Sequence, residues 1–168
     1  TIRDLNFIKP VVQCLEFFDP VEKSVSSVTA DMDKMADVVI EFLVKNDIRR
    51  VGAFDYTLTC EYGRKFLSAI KTKAFKNGIF VPEEDTFFEE PGYDGAYSDA
   101  VSYLMREDHS KAIICAGDDL AIGVYKAARK CNIEVPGEMV ITGAGGMNTN
   151  QISGAKIMSV SGLGREAG

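Results

Sequence analysis

The sequence predicts an α/β fold in which a Rossmann-like parallel sheet is flanked by helices. The first observation is that short, continuously apolar runs alternate with amphipathic stretches along the chain. The second is that these runs lack the polar alternation of a strand with one face in water, so we expect both faces of the sheet to be covered. The third is that the intervening stretches carry apolar residues at helical spacing, without an internal repeat.

The composition fits a single globular domain with a sizeable core. The chain has 168 residues, of which 46% are hydrophobic and 26% charged, and these are ordinary proportions for such a domain. A net charge of −6 argues against direct binding of a nucleic-acid backbone. The four cysteines show no metal-binding spacing and suit a reducing cytoplasm. No apolar run approaches the ~20 residues that span a bilayer, and we expect neither a cofactor nor a metal.

The first half of the chain is predicted to contain three strands and two helices. The strands are short apolar runs at residues 11–15, 25–29 and 50–54. Asp31 is the expected N-cap of the first helix, which ends at Lys45 and Asn46. Its buried stripe has apolar residues at helical spacing: Met32, Met35, Ala36, Val39 and Leu43. A longer helix is expected at residues 59–76.

The second half is predicted to continue the alternation around one acidic loop. Strands are expected at residues 79–81, 112–116, 139–142 and 157–160. Helices are expected at residues 97–105 and 120–131. The densest run of charge is Glu83-Glu84-Asp85, with Glu89-Glu90 close behind. Because no histidine accompanies these acids, a solvated loop is predicted rather than a metal site.

The candidate site follows from the sheet alone. Ligands of parallel sheets bind beyond the carboxyl ends of the strands, so the turns after Phe54, Ala116 and Thr142 are the places to inspect. Asp118 follows the second of these strands. Its carboxylate either caps the helix that begins there, by accepting hydrogen bonds from free N–H groups, or accepts a hydrogen bond from a ligand hydroxyl. Asp119 is the expected cap of that helix, because a carboxylate there binds free backbone N–H groups.

Catalytic chemistry finds little support in the sequence. The glycine-rich run at residues 143–146 invites a dinucleotide interpretation, but Asn148 occupies the place of the third glycine and no convincing helix follows. His109 is the only histidine, and it is expected to be exposed in a polar loop, where it builds no catalytic triad. No nucleophile-elbow motif occurs. The chain is therefore predicted not to be an enzyme, with a nucleotide-dependent enzyme as a minor alternative.

Residues 112–143 carry a more specific pattern of strand, acidic turn, helix, Val-Pro bend and strand. The residues that define it are Gly117-Asp118, Ala121, Gly123, residues 132–136 and Gly143. This unit resembles the effector-binding domain of the lactose-repressor/galactose-repressor (LacI/GalR) family of transcription regulators. The resemblance implies a periplasmic-binding-protein-like type I subdomain that senses a sugar or a related small molecule.

The resemblance also implies a set of ligand-binding residues. Asp118 matches the family pattern, whereas Tyr62 stands where the family has an arginine that grips the sugar. Gly145 replaces an aspartate that reads the ligand, and Glu16 lies next to the position of another. Tyr93 falls in a loop that places an aromatic ring over the sugar in the family, although a surface aromatic is an equally good interpretation. A larger, less hydroxylated or differently charged effector than a simple hexose stays open.

The resemblance further implies that the chain is a fragment. Residues 1–23 are expected to be a remnant of an N-terminal subdomain and its crossover, residues 24–150 the C-terminal effector-binding subdomain, and residues 151–168 the return crossover. Operator DNA would then bind only through a headpiece absent from this chain. Ile122 and Tyr125 lie off the predicted core face of their helix, and they either cover the partner in a homodimer or simply flank the core. The alternative is a periplasmic solute-binding protein of the ribose-binding type, but the turn at residues 135–138 resembles regulators more.

Overall fold

The structure, a computed structural model, describes residues 12–14, 26–28, 30–57, 61–147 and 154–162. Its main sheet has five strands: β3 (Gly52–Tyr56), β4 (Thr86–Glu89), β5 (Ala112–Cys115), β6 (Val140–Ala144) and β7 (Met158–Val160). They lie in the order β4-β3-β5-β6-β7, and every neighbouring pair is parallel. The predicted fold class is therefore confirmed.

Two further strands precede the main sheet along the chain. They are β1 (Val12–Cys14) and β2 (Ser26–Val28), and they pair in parallel with Cys14 opposite Val28. Both strands were predicted from their apolar runs. The structure pairs β2 with β1 in a separate two-stranded sheet, whereas the main sheet begins with β3.

Four helices cover the two faces of the main sheet in the described part of the chain. They are α1 (Met32–Lys45), α2 (Glu61–Lys76), α3 (Tyr97–Leu104) and α4 (Asp118–Lys130). Helices α1 and α2 share one apolar core with residues such as Ile114 of β5. Helices α3 and α4 share a second core on the opposite face with Phe54 and Ile113. The neighbouring residues Ile113 and Ile114 thus point to opposite cores, as the alternation of side chains along a strand requires.

The helix α1 forms as its sequence predicts. The Asp31 carboxylate accepts a hydrogen bond from the Lys34 N–H at 3.0 Å and so caps the first turn. The Asn46 side chain donates to the Phe42 carbonyl at 2.8 Å at the other end. The predicted stripe is buried throughout: Met32, Met35, Ala36, Val39 and Leu43.

The acidic segment is the largest correction to the predicted fold. A loop was predicted at residues 83–90, but β4 lies within it and pairs with β3, placing Phe87 opposite Phe54. The two rings stack with their centroids 4.7 Å apart, and this apolar contact outweighs the solvation expected of the acids around it. The predicted strand at residues 79–81 is reduced to a single bridge between Phe80 and Arg50.

Asp85 also departs from the predicted solvated loop, because it is 0% exposed at the amino edge of the sheet, where the strands begin. One carboxylate oxygen accepts hydrogen bonds from Arg50 at 2.8 Å and from the Tyr103 hydroxyl at 3.2 Å. The other accepts from Arg106 at 3.2 Å. Tyr103 in turn accepts from the Ser110 N–H at 2.8 Å, so this buried charge is fully provided with donors.

Smaller corrections concern the strand β3, the helix α4 and His109. β3 runs two residues later than predicted, which places Asp55 and Tyr56 in the strand rather than in a loop. The N-cap of α4 is Gly117, so Asp119 lies within the first turn and is not the cap. Ile122 is 1% exposed, and its expected role in covering a partner is therefore wrong. His109 is half-buried beside the Tyr103 ring rather than exposed.

The path of the chain creates a crevice between β3 and β5. From β3 the chain passes through α2 to β4 on one side, and it then crosses back to β5 on the other side. The helices α2 and α4, which follow β3 and β5, pack on opposite faces of the sheet. Neighbouring strands whose connections leave in opposite directions form a topological switch point, where α/β folds bind ligands.

Candidate ligand site at the carboxyl edge of the sheet

Asp118 is the first residue of α4 and is buried, with 2% of its surface exposed. Its Oδ2 accepts hydrogen bonds from the Met147 N–H at 2.7 Å and from the Ser159 hydroxyl at 2.8 Å. Its Oδ1 has no hydrogen-bond partner among the described residues. This oxygen lies against the backbone of Gly143, where any side chain would collide with it. The carboxylate thus joins α4, the end of β6 and β7.

The charge of Asp118 is only partly compensated. Burial raises the pKa of this carboxyl group above its ordinary value, and the nearby Asp119 charge raises it further. The hydrogen bonds from Ser159 and Met147 act in the opposite direction. No cation contacts the group in the described part of the chain, which is the opposite of the arrangement around Asp85.

Gly145 lies directly beside Asp118, as the sequence predicted for two ligand-site residues. Its φ of +136° and the φ of +72° at Gly146 belong to the region that favours glycine. These two residues turn the chain after β6, and the Gly145 N–H donates to the Val160 carbonyl at 3.0 Å. A Cβ at position 145 would lie 3.3 Å from Asp118 Oδ2. A larger residue would therefore be both strained and pressed against the carboxylate.

Asp119 connects the start of α4 to the end of β3 and to the loop that contains Gly92. One of its oxygens accepts a hydrogen bond from the Tyr56 hydroxyl, and the other accepts from the Gly92 N–H at 2.8 Å. The second bond fixes the segment that carries Tyr93, whose carbonyl oxygen would lie 3.0 Å from a Cβ on Gly123 of α4. Tyr93 is 44% exposed. The structure thus holds the backbone of this loop against α4 and leaves the Tyr93 side chain at the surface.

Tyr62 and Glu16 are the remaining predicted site residues. Tyr62 is in the first turn of α2, partly buried, and packs against the core beneath α1 and α2. Its neighbour Gly63 contacts Asp55 and Tyr56, so this turn borders the crevice. Glu16 lies outside the described residues.

Two acids at the ends of β3 and β4 were not among the predicted site residues. Asp55 is 2% exposed, and burial raises its pKa to about 6 although the Tyr56 N–H and Lys71 oppose the shift. Burial raises the pKa of Glu89 to about 7, and the nearby Asp99 carboxyl group adds to this. Glu89 Oε1 is buried without a hydrogen-bond partner among the described residues. Asp55 directly follows the predicted strand at residues 50–54, and this position could have identified it. Glu89 had no such signal, because β4 was not predicted.

Other kinds of site find no support in the described residues. They contain no group of three or more His, Cys, Asp or Glu side chains that could hold a metal ion. Burial raises the pKa of the Cys115 thiol well above its ordinary value, which disfavours the reactive thiolate. Within the same residues, no helix is both long enough and apolar enough to cross a membrane.

Comparison with known proteins identifies the fold. A LacI family transcription regulator from Clostridium acetobutylicum matches with a TM-score of 0.80 and 20% identity over 95% of this chain. A putative LacI regulator from Bacillus cereus subsp. cytotoxis matches with a TM-score of 0.82 and 19% identity over 99%. Each match covers 60% of the solved chain. A sugar-binding LacI family regulator from Escherichia coli, complexed with phosphate, matches with a TM-score of 0.78 and 18% identity over 95% of this chain and 58% of its own.

These matches define the class of fold. The chain has the periplasmic-binding-protein-like α/β fold seen in solved LacI family regulators, and it spans about 60% of their length. No protein-family model matches the sequence, and no curated protein matches it either. Most of these structural neighbours are named as LacI family transcription regulators.

Proposed function

We propose that this chain is part of the effector-binding domain of a LacI-type transcription regulator and that a small molecule binds at the carboxyl edge of its main sheet. The observation that carries the proposal is the buried carboxylate of Asp118, which lies without a cation at the carboxyl edge of the sheet, beside the ends of β6 and β7 and next to the switch point between β3 and β5. Switch-point crevices of α/β sheets are ordinary ligand sites. The shared fold with LacI family regulators supports the regulatory role.

The proposed effector is a carbohydrate or a close relative. Carboxylates accept hydrogen bonds from sugar hydroxyl groups, and this edge carries Asp55, Glu89, Asp118 and Asp119. The same charges disfavour phosphorylated or carboxylated ligands. The regulator from Escherichia coli that shares the fold is named as sugar-binding, which supports the same class.

Asp118 has a defined part in this proposal. Both donors to its Oδ2 come from the protein itself, Met147 and Ser159. A ligand hydroxyl would reach this oxygen by replacing one of those donors, and it would thereby shift the end of β6 relative to β7. Ligand binding then favours one arrangement of the domain over another and changes operator affinity by a shift of population. Tyr62, Tyr93, Gly145 and Glu16 complete the proposed site.

The proposal also includes the binding partners and the cellular compartment. Operator DNA would bind through a headpiece outside this chain, the regulator would act as a homodimer, and it would work in the cytoplasm. Sequencing the reading frame upstream of Thr1 separates this proposal from its alternative. A helix-turn-helix followed by a βαβ half-domain supports the regulator. A secretory signal peptide there would replace the regulator with a periplasmic solute-binding protein.

Calorimetry on the full-length protein tests ligand binding. The probes are D-galactose, D-ribose, D-glucosamine and D-glucose 6-phosphate. We expect a neutral or amine-bearing sugar to bind and the sugar phosphate not to bind. Asp118→Asn should weaken binding about tenfold, the typical loss of a hydrogen bond to a charged group. Asp94→Asn is the matched control, because this exposed carboxylate only pairs with Lys126 at 2.8 Å. Equal affinity of wild type and Asp118→Asn would remove Asp118 from the site.

A further inference from the structure

Tyr56, the last residue of β3, lies in the crevice between the first turns of α2 and α4. On the α2 side, a Cβ built on Gly63 would lie 2.9 Å from Tyr56 Cδ2. On the α4 side, a Cβ built on Gly117 would overlap the Tyr56 hydroxyl group and would lie 2.6 Å from Tyr56 Cζ. It would also lie 2.5 Å from Asp119 Oδ1, the atom to which this hydroxyl group donates. The ring therefore occupies space that a side chain at either position would need.

The ring of Tyr56 is also held in one orientation. Its hydroxyl group donates to Asp119, and the other oxygen of Asp119 is fixed by the Gly92 N–H. The ring packs against both apolar cores, because it lies at the carboxyl end of β3, where both cores are within reach. It is only partly buried. A fixed aromatic surface thus borders the solvent at the switch point.

Glu89 lies next to Tyr56, at the paired position of β4. Paired residues of neighbouring strands extend to the same side of a sheet. Glu89 Oε1 has no hydrogen-bond partner in the described part of the chain. The crevice therefore combines an aromatic surface with a carboxylate acceptor, which is the chemistry that binds a sugar ring by its apolar face and its hydroxyl groups.

We propose that Tyr56 is the specificity-determining residue of this crevice: its ring takes the space of a side chain at position 117 and forms the floor on which a neutral or amine-bearing sugar ring stacks. This inference rests on the proposed ligand-binding function and names a residue that the sequence pattern did not assign. Gly117 is its necessary counterpart, because any side chain there would displace the ring.

A double-mutant cycle tests the geometry without any ligand. Full-length wild type, Gly117→Ala, Tyr56→Ala and the double variant are unfolded in urea. We expect Gly117→Ala to shift the unfolding equilibrium about tenfold or more towards the unfolded state in the Tyr56 protein, the usual cost of overpacking. The same change should cost less than about threefold in the Tyr56→Ala background, because the ring is absent and Asp119 Oδ1, released from the Tyr56 hydroxyl group, can turn away from position 117. Equal costs in both backgrounds would overturn the placement of the ring in the crevice.

Calorimetry with D-galactose, D-glucosamine, D-ribose and D-glucose 6-phosphate tests the role in binding. Tyr56→Phe keeps the ring and should bind the preferred sugar within about threefold of wild type, whereas Tyr56→Leu, which fills the space without an aromatic face, should bind about tenfold more weakly. Phe75→Ala, at a side chain that is 87% exposed on α2, is the control and should bind as wild type does.

Each result decides a separate claim. If Tyr56→Leu binds as tightly and as selectively as wild type, Tyr56 does not determine specificity and the inference fails. If wild type binds none of the four probes, the proposed carbohydrate effector fails and stacking on Tyr56 fails with it. The double-mutant cycle still decides whether the ring fills the crevice in that case.

Discussion

The two edges of the main sheet each bury an aspartate, and the two carboxylates differ in their hydrogen-bond donors. At the amino edge, Asp85 receives hydrogen bonds from Arg50, Arg106 and Tyr103, so both of its oxygens are bound. At the carboxyl edge, Asp118 receives two neutral donors on one oxygen and none on the other. Exposure alone does not distinguish them, because both are almost fully buried.

This difference separates a buried charge that stabilises the fold from one that is available for binding. A carboxylate that is paired with arginines has much of its desolvation cost offset without a ligand. A carboxylate without a cation keeps part of its desolvation cost, which a ligand donor can reduce. Burial also raises the pKa of Asp55 and of Glu89 at this edge, although Lys71 and the Tyr56 N–H oppose the shift at Asp55. Acids whose burial is only partly compensated thus lie at the edge where the fold places its ligand crevice.

Asp85→Asn and Asp118→Asn form the sharpest contrast and the largest expected effect. Asp85→Asn leaves Arg50 and Arg106 without their shared buried partner, and we expect the free energy of unfolding to fall by about 3–5 kcal/mol. Asp118→Asn keeps an acceptor for Ser159 and Met147 and removes an unpaired charge, so its change should stay within about 1 kcal/mol. Urea denaturation at neutral pH measures both. Similar losses in the two variants would contradict the contrast.

Asp55→Asn should stabilise the protein in a pH-dependent way. The pKa of this group rises from 3.8 to about 6 on folding, so between these values the folded state binds more protons than the unfolded state. Stability contributed by Asp55 therefore falls as pH rises through this window. Above about pH 7, Asp55→Asn should gain on the order of 1 to 3 kcal/mol, and below about pH 4 the gain should vanish. Urea titrations across this range check it, and a pH-independent difference would contradict it.

Ser159→Ala should have a smaller effect on the same carboxyl edge. The variant removes one of the two hydrogen bonds to Asp118 and costs about 1 kcal/mol of unfolding free energy. The pKa of Asp118 should rise further, because the Ser159 hydrogen bond lowers it in wild type. Carbon-13 NMR of the Asp118 carboxyl group during a pH titration measures this. Ser161→Ala is the control, since that hydroxyl group donates to the Gly162 carbonyl and, among the described residues, makes no hydrogen bond to Asp118.

The smallest expected effect concerns the pair of Glu89 and Asp99. The Asp99 carboxyl group helps to raise the pKa of Glu89 to about 7, after burial. Asp99→Asn should therefore lower the titration midpoint of Glu89 without returning it to the ordinary value of 4.5. The NMR titration reports this midpoint directly. An unchanged midpoint would show that burial alone sets it.

Much of the fold could be predicted because its signals are local. The stripe from Met32 to Leu43 and the cap at Asp31 are set by spacing within one helix, and the structure confirms both. The strand β4 could not be predicted in the same way. Its sequence is short and surrounded by acids, and what makes it a strand is the stacking of Phe87 on Phe54, a contact across the sheet.

The candidate site also has a part that could be predicted from the sequence and a part that could not. The carboxyl ends of the strands could be located from the alternation of elements, and the closeness of Gly145 to Asp118 followed from two of those ends. The fit of the Tyr56 ring over Gly117 could not be predicted from the sequence, because it depends on the pairing of β3 with β5. That Gly117 lacks a side chain where the Tyr56 ring needs space is visible only in the three-dimensional structure.

Amide hydrogen exchange of the full-length protein shows whether a ligand binds at the carboxyl edge of the sheet. Exchange is compared with and without the sugar that binds in the calorimetric panel, at saturation. We expect ligand-dependent protection at the carboxyl edge, at residues 56–57, 117–119 and 145–147, with residues 106–110 at the amino edge unchanged. Protection confined to the amino edge, or absent from the carboxyl edge while the sugar is bound, would contradict it.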